Sequence, residues 1–345
     1  MYIYLINMES IFKRYGWEVI SFEQLHQGLI NSTYIVVTVD GDFVLQTINH
    51  HIFKNPHLID SNINLIGHHL NKIAPDYLFT HLVPTLNGST IIEWEGQFYR
   101  AFKKIDGYAL SVLENPNQAM EAAKQFGRFT SILSNFDIHS LQITLPDFHN
   151  LSLRFHQFSD AIIHGNPNRI AEAKEAIAVL KSYQKYVSTY DNFINHKDTK
   201  QRVTHHDTKI SNVLFTNVDG TEKGICVIDL DTVMPGYFIS DIGDMCRTCL
   251  CNVSEEESNL SLITVDAQKW DALQNGYLDQ MKQVLSNFEI DHLFFGGQFM
   301  IYMQALRFLT DHLNNDIYYG AKKEGQNYIR ALNQIRLLEV YNRLS

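Results

Sequence analysis

The chain predicts an α+β architecture of two lobes, a small antiparallel-sheet lobe followed by a larger, mainly helical one. Three observations carry this reading. Apolar runs with strand character, separated by turn signals, crowd the first hundred residues. After Asp106-Gly107, apolar residues recur at spacings of three and four. All seven prolines lie at or before Pro235, so nothing breaks helices beyond it. A length of 345 residues suits two units of about 150 residues each.

Each element has its own local reason. Tyr34–Val39 and Phe43–Ile48 flank Asp40-Gly41-Asp42, a strand–turn–strand signal. Pro56 opens a helix with Leu58, Ile59, Ile63, Ile66 and Leu70 on one side. Thr90–Trp94, Glu95-Gly96 and Gln97–Phe102 read as a second hairpin. A hinge is expected near 103–107, which divides the chain into 1–104 and 105–345. Met120, Ala123, Phe126, Phe129, Leu133 and Phe136 then form a helical stripe. A second stripe, Ile170 through Ile177 and Leu180 to Tyr190, predicts one long helix laid on a core rather than a coiled-coil seam. Three more helices are expected near 266–288, 292–313 and 324–344.

Composition excludes several functions. Lys and Arg number 28 against 38 Asp and Glu, a formal charge of −10, which argues against a nucleic-acid partner or an anionic membrane surface. Hydrophobic residues at 45% supply a full core and exclude disorder. No run of 18 apolar residues exists to span a membrane. The start, MYIYLINMES, has no basic segment and no cleavage site of a secretory signal, so a cytoplasmic location is expected. Cys246, Cys249 and Cys251 cluster without a second pair to complete a zinc set, so buried free thiols of a reducing compartment are expected.

Two strings carry the chemistry. Thr204–Phe215 reduces to H-x-D-x-K-x-x-N followed by an apolar strand, and Ile225–Asp231 places a carboxylate at the end of another. Asp219-Gly220 marks a hairpin between them. Phosphoryl transfer needs a carboxylate to take the proton of the attacking hydroxyl, a cation near the phosphate, and hard oxygen ligands for Mg²⁺. Asp207 fits the base, Lys209 the cation, and Asn212 and Asp229 the metal ligands. His205 braces the loop by hydrogen bonding. Adjacent His205, His206 and Asp207 cannot easily ligate one ion, so zinc is not favoured.

These segments, HHDTKISNVLF and VIDLDTVMPG, resemble those of the aminoglycoside phosphotransferase and choline kinase superfamily, whose fold is protein-kinase-like. LINSTY (29–34), FVLQTINHHIFKNP (43–56), PDFHN (146–150), SDIGDMCR (240–247) and RFLTDHL (307–313) are similar to its N-acetylhexosamine 1-kinase branch. The resemblance implies a nucleotide-binding first lobe, a catalytic and substrate-binding second lobe, ATP and Mg²⁺ as cofactors, and an amino sugar phosphorylated at its anomeric hydroxyl. It implies that Asp207 is the base, that Asn212 and Asp229 bind metal, that Asp241 supports the catalytic loop, and that Asp231 assists the metal or its hydrogen-bond shell. The adenine is expected against backbone near Lys103 and Ile105. Asp244, Arg247, Arg307 and Tyr318 are candidates for the acceptor, the last two beside Asp311, four residues beyond Arg307 on a helix. A monomer or homodimer is expected.

Two departures stand out. Gln46 occupies the place of a strand lysine, and the helix after Pro56 offers Asp60, Asn62 and Asn64 but no glutamate to pair with one. The phosphate loop, Gln27–Thr33, has a single glycine, with Asn31, Ser32 and Thr33 as possible donors and Leu29 where a histidine is expected. A kinase of an amino alcohol or similar metabolite, and a catalytically silent binding protein, are the alternatives.

Overall fold

The structure, a computed structural model, describes residues 2–25 and 30–344, with side chains from Met8 onward. The chain divides into two compact units. One is Met1–Tyr108 with Phe136–Pro146 and Cys226–Pro235; the other is Ala109–Asn135 with Asp147–Ile225 and Gly236–Ser345.

In the first unit, helix α1 (Tyr2–Tyr15) precedes strands β1 (Val19–Leu25), β2 (Ser32–Thr38) and β3 (Gly41–Ile48). Helix α2 (Pro56–Ile73) and strands β4 (Ile91–Trp94) and β5 (Gln97–Lys103) follow. The strands form one sheet, ordered β1-β2-β3-β5-β4 and antiparallel throughout. Local turn chemistry fixes the register. Trp94 pairs with Gln97 across Glu95 and Gly96, whose φ values of 50° and 73° suit a tight hairpin turn. Met8, Ile11, Phe12 and Tyr15 of α1 pack on Tyr34, Val36, Leu45, Tyr99 and Ala101, covering one face of the sheet. Because side chains alternate along a strand, Thr33, Gln46 and Arg100 emerge on the other face.

Asn55 caps α2, accepting from the His57 N–H, and Pro56 fills the first turn, where no amide is needed. Ile59, Ile63, Ile66 and Leu70 are buried along one side, as their spacing predicts. Asn62 is wholly buried. Its Nδ2 donates to the carbonyls of Gln142 (2.8 Å) and Val233 (3.0 Å), and its Oδ1 accepts from the Gln142 N–H. One side chain thus fastens both later segments of this unit to the helix.

Strand β6 (Tyr108–Ala109) leads to helix α3 (Pro116–Ile132), then α4 (Leu151–His164), α5 (Pro167–Glu172), α6 (Lys174–Ser182) and α7 (Lys185–Ile194). The long helix expected over residues 170–190 is therefore broken, with bends at Ala173 and Tyr183, where ψ is 11° and 7°. The physical reason lies in the spacing. The stripe repeats every seven residues, and a straight α-helix rotates such a stripe by about 20° per repeat. With the bends, Ala173, Ile177, Leu180 and Tyr190 of the stripe are buried, and Tyr186 is buried where Tyr183 and Val187 are only half-buried.

Strands β7 (Arg202–Thr204), β8 (Val213–Val218), β9 (Thr221–Val227) and β10 (Met234–Gly236) follow. Helices α8 (Phe238–Cys249), α9 (Ala267–Met281), α10 (Asn287–Asp291), α11 (Leu293–Leu313) and α12 (Gln326–Tyr341) complete the order. Asp219 and Gly220, with φ of 51° and 79°, turn β8 into β9. Helix α11 is buried nearly all round and forms the axis of the second unit. Helix α8 lies so close to it that a Cβ at Gly243 would stand 2.3 Å from the Gly296 carbonyl oxygen. That approach fixes where Asp241 and Asp244 of α8 sit. Among the described residues, no helix is long and apolar enough to cross a membrane.

Candidate active site

The segment His205–Asn212 is built from its anchors inward. The strand β7 that leads into it is tied down by a buried pair: Arg202 donates to Glu289 Oε1 at 2.7 Å and Oε2 at 2.9 Å. Both side chains are almost wholly excluded from solvent, and the bidentate geometry offsets their desolvation. Two carboxylates of α8 then hold the loop backbone. Asp241 accepts the His205 N–H at 3.0 Å and the His206 N–H at 2.8 Å, and its carbonyl accepts the Thr208 hydroxyl at 2.7 Å. Asp244 accepts the Thr208 N–H at 2.8 Å. Burial pushes Asp241 up to about 7, although the two amide bonds favour its charged form. His206 sits at φ 66°, and a Cβ at Gly236 would come within 2.3 Å of its Nε2, so this close approach requires glycine. His205 is buried edge-on to Phe126 at 5.2 Å, and its Nδ1 accepts the Asp207 N–H at 3.3 Å.

This scaffold brings Asp207, Lys209 and Asn212 together. Lys209 Nζ donates to Asp207 Oδ2 at 2.8 Å, and Asn212 Nδ2 donates to the same oxygen at 3.0 Å and to the Asp207 carbonyl at 2.8 Å. Burial works against ionisation of Asp207. The Lys209 ammonium and the Asn212 amide outweigh it and hold the carboxyl below its ordinary range. The result is a carboxylate charged at neutral pH with Oδ2 fully engaged. Asn212 has its amide nitrogen committed to Asp207, so only its carbonyl oxygen can accept or ligate.

The first unit holds Asp229, Asp231 and the residues expected at the nucleotide. Asp229 follows β9 in the left-handed region, φ 62°, which only a few non-glycine residues tolerate and which marks a constrained backbone. Asp231 is buried two residues on. Its Oδ2 accepts from Asn31 Nδ2 at 2.7 Å. Ser32 and Thr33 begin β2, and Gln46 Nε2 donates to Thr33 Oγ1 at 3.2 Å. Lys103 ends β5 with its side chain exposed, and Ile105 is half-buried after it. Gln27, Gly28 and Leu29 of the phosphate loop lie outside the described residues.

The acceptor candidates divide. Arg247 has its guanidinium committed to Asp244 (3.0 Å) and Glu255 (3.0 Å), and Arg330 also pairs with Glu255. Arg307 and Asp311 do not form the ion pair that their spacing suggests. Asp311 is buried and accepts the N–H groups of Tyr318 (2.7 Å) and Tyr319 (2.9 Å) and the Asn327 amide, so it shapes the turn after α11. Arg307 instead donates to the Tyr318 hydroxyl at 3.2 Å and lies over the rings of Phe148, Tyr318 and Tyr319. Beside them His149, 5.3 Å from His206, is held well below its ordinary range by burial and by neighbouring cations, so it is neutral.

Sequence reasoning gave no place to His149, Tyr319 or Arg100. PDFHN contains the first but gives it no role. Arg100 had a readable signal, a charged residue inside an apolar strand, but its partners lie far off in sequence. The four cysteines are free, and burial pushes Cys226 and Cys249 up to about 12, away from reactivity.

An antiparallel sheet with a covering helix, a helical unit, and an H-x-D-x-K-x-x-N loop strapped to a following helix define a kinase-like phosphotransferase. The chain belongs to the Phosphotransferase enzyme family (APH), whose model matches residues 21–275. Its fold is similar to that of amicoumacin kinase, solved with AMP-PNP, Ca²⁺ and Ami, at TM-score 0.67 and 12% identity over 99% of this chain and 97% of that one. It is also similar to spectinomycin phosphotransferase, solved with ADP and spectinomycin (0.61, 11%, 97% of each chain). A Plasmodium vivax ethanolamine kinase matches at 0.55 and 15% over 94% of this chain and 84% of that one.

Proposed function

We propose that this phosphotransferase is an ATP- and Mg²⁺-dependent kinase of a small-molecule hydroxyl, working in the cytoplasm as a monomer or homodimer. The proposed acceptor is an amino sugar, an N-acetylhexosamine at its anomeric hydroxyl. Residues 1–104 are assigned to the nucleotide and 105–345 to catalysis and substrate. The observation that carries the kinase reading is Asp207, kept ionised by Lys209 and Asn212, with both their bonds on Oδ2. Oδ1 is thereby the oxygen left to accept the proton of the attacking hydroxyl. Asp241 and Asp244 hold the loop so that this oxygen keeps its aim.

Asn212 and Asp229 offer an amide oxygen and a carboxylate, hard donors of the kind Mg²⁺ takes. What Mg²⁺ supplies when bound is neutralisation of charge on the nucleotide phosphates. Lys209 adds a cation from the protein, and Asn31, Ser32 and Thr33 supply polar groups for the phosphates. Backbone near Lys103 and Ile105 is assigned to the adenine.

The sugar reading rests on Arg307. Its guanidinium lies among three aromatic rings, and among the described residues no carboxylate pairs with it. A guanidinium over aromatic faces suits a neutral polyhydroxyl ring with an amide and repels cationic acceptors such as choline or an aminoglycoside, which call for carboxylates or an unoccupied aromatic cage. Tyr318, Asp244 and Arg247 complete the proposed acceptor region. The test is Mg·ATP turnover over N-acetylhexosamines, other sugars, choline, homoserine and aminoglycosides. Turnover confined to the amino alcohols would move the acceptor to that class, and no turnover on any of them would support a silent binding protein.

A further inference from the structure

The sheet face away from α1 carries a buried cation that the catalytic strings do not call for. Register pairs Gln46 on β3 with Arg100 on β5. Arg100 donates through Nε at 3.0 Å and Nη2 at 2.8 Å to Gln46 Oε1, and Nη2 also pairs with Asp231. Arg100 is 1% exposed. The chain continues in both directions. Gln46 Nε2 donates to Thr33 Oγ1, Asp231 Oδ2 accepts from Asn31 Nδ2, and Asn31 Oδ1 accepts the Asn49 N–H at 2.9 Å. Asp60 of α2 is near enough for the Arg100 charge to act on its carboxyl, against the upward push of burial.

A guanidinium this deep is tolerated only when its partners are fixed. Its partners are not ordinary core groups. Asn31 and Thr33 end the segment that would face phosphates, and Asp231 stands two residues after Asp229. Gln46 is neutral, so on this sheet face the positive charge comes from the neighbouring strand. We infer that Arg100 is the positioning residue of the nucleotide site, locking Gln46, the Asn31–Thr33 segment and the Asp229–Asp231 segment into one arrangement before the nucleotide arrives. The inference rests on the kinase reading above. It also reassigns Gln46, which acts as a hydrogen-bonded link between Arg100 and Thr33.

The test compares Arg100→Met, Arg100→Lys and the paired exchange Gln46→Lys with Arg100→Gln, which moves the charge across the strand pair. Mg·ATP affinity by calorimetry, kcat and both KM values, and Tm are measured on each. Arg100→Met is expected to weaken Mg·ATP binding at least about tenfold, with the acceptor KM little changed, since preorganisation of a charged network is lost. Arg100→Lys, which keeps the cation but not the planar fork that bonds Gln46 and Asp231 at once, is expected to fall between wild type and Arg100→Met, and the exchange variant to recover part of the loss, because it keeps a buried cation beside Asp231. A folded Arg100→Met protein with wild-type Mg·ATP affinity and only a lowered Tm would overturn the inference. If Arg100→Met does not fold, the exchange variant decides: recovered affinity supports the role, and a folded exchange protein that binds Mg·ATP no better than background overturns it. A wild-type protein that fails to bind Mg·ATP would instead remove the kinase reading, and this role with it.

Discussion

Asp207 shows how what surrounds one side chain sets its orientation and its charge. Two donors on Oδ2 fix its orientation and its charge, so removing the charge while keeping the shape isolates the chemistry. Asp207→Asn is expected to keep the fold and Mg·ATP binding while kcat falls by about a hundredfold or more, as loss of a general base does. Single-turnover kinetics with the purified variant check this, and near wild-type turnover would reject Asp207 as the base. The pH dependence has a definite sign. The folded pKa of Asp207 lies below its ordinary 3.8, so the carboxylate persists as pH falls and its stabilising contribution is lost only below that value. An acid limb in kcat/KM due to Asp207 should therefore lie below pH 3.8. Lys209→Met removes a principal lowering influence and should move that limb upward, which a pH–rate profile reads directly. At the same scale, Arg307→Ala should raise KM for the acceptor far more than for ATP; equal effects on both would assign Arg307 to structure.

Among the elements, the helix α8 is the part on which the loop depends. Its Asp241 and Asp244 reach the loop backbone because Gly243 lets α8 settle against Gly296 of α11. Gly243→Ala would force a Cβ toward that carbonyl and should destabilise the protein by about 1–3 kcal/mol, the usual cost of overpacking. Activity should fall more than the lost stability explains, because the carboxylates move with the helix. Thermal unfolding alongside kcat separates the two effects, and a variant with unchanged Tm would contradict the close packing. Elements of this kind were legible where a local rule sets them. Glu95-Gly96 and Asp219-Gly220 announce their hairpins because positive φ is needed there, and Ile59 to Leu70 announce α2 by spacing. The breaks at Ala173 and Tyr183 were not legible, since no proline or glycine marks them and only burial of successive faces requires them.

The whole molecule was legible to a similar depth. An α+β chain with a sheet first and helices after follows from periodicity, and Asp207, Lys209 and Asn212 were readable because they lie within six residues of one another and meet across a single loop. The surroundings of Arg100 were not, because its partners are Gln46, 54 residues away, and Asp231, which reaches it only through folding. The docking of residues 226–235 on α2 through Asn62 is hidden for the same reason. Within the second unit the loop string is open to reading, whereas the partners of Arg100 and Asn62 within the first unit are separated in sequence and meet only on folding.

Whether Asp207 directs phosphoryl transfer from ATP to a sugar hydroxyl is decided by identifying the product. The purified protein is incubated with Mg·ATP and an N-acetylhexosamine, and the product is resolved by phosphorus and proton NMR, with Asp207→Asn as the control. One equivalent of ADP is expected per sugar phosphate, with the phosphate on the anomeric oxygen, loss of the free reducing end, and no product from Asp207→Asn. A sugar phosphorylated at wild-type rate by Asp207→Asn, or no phosphorylated sugar from the wild-type protein, would contradict it.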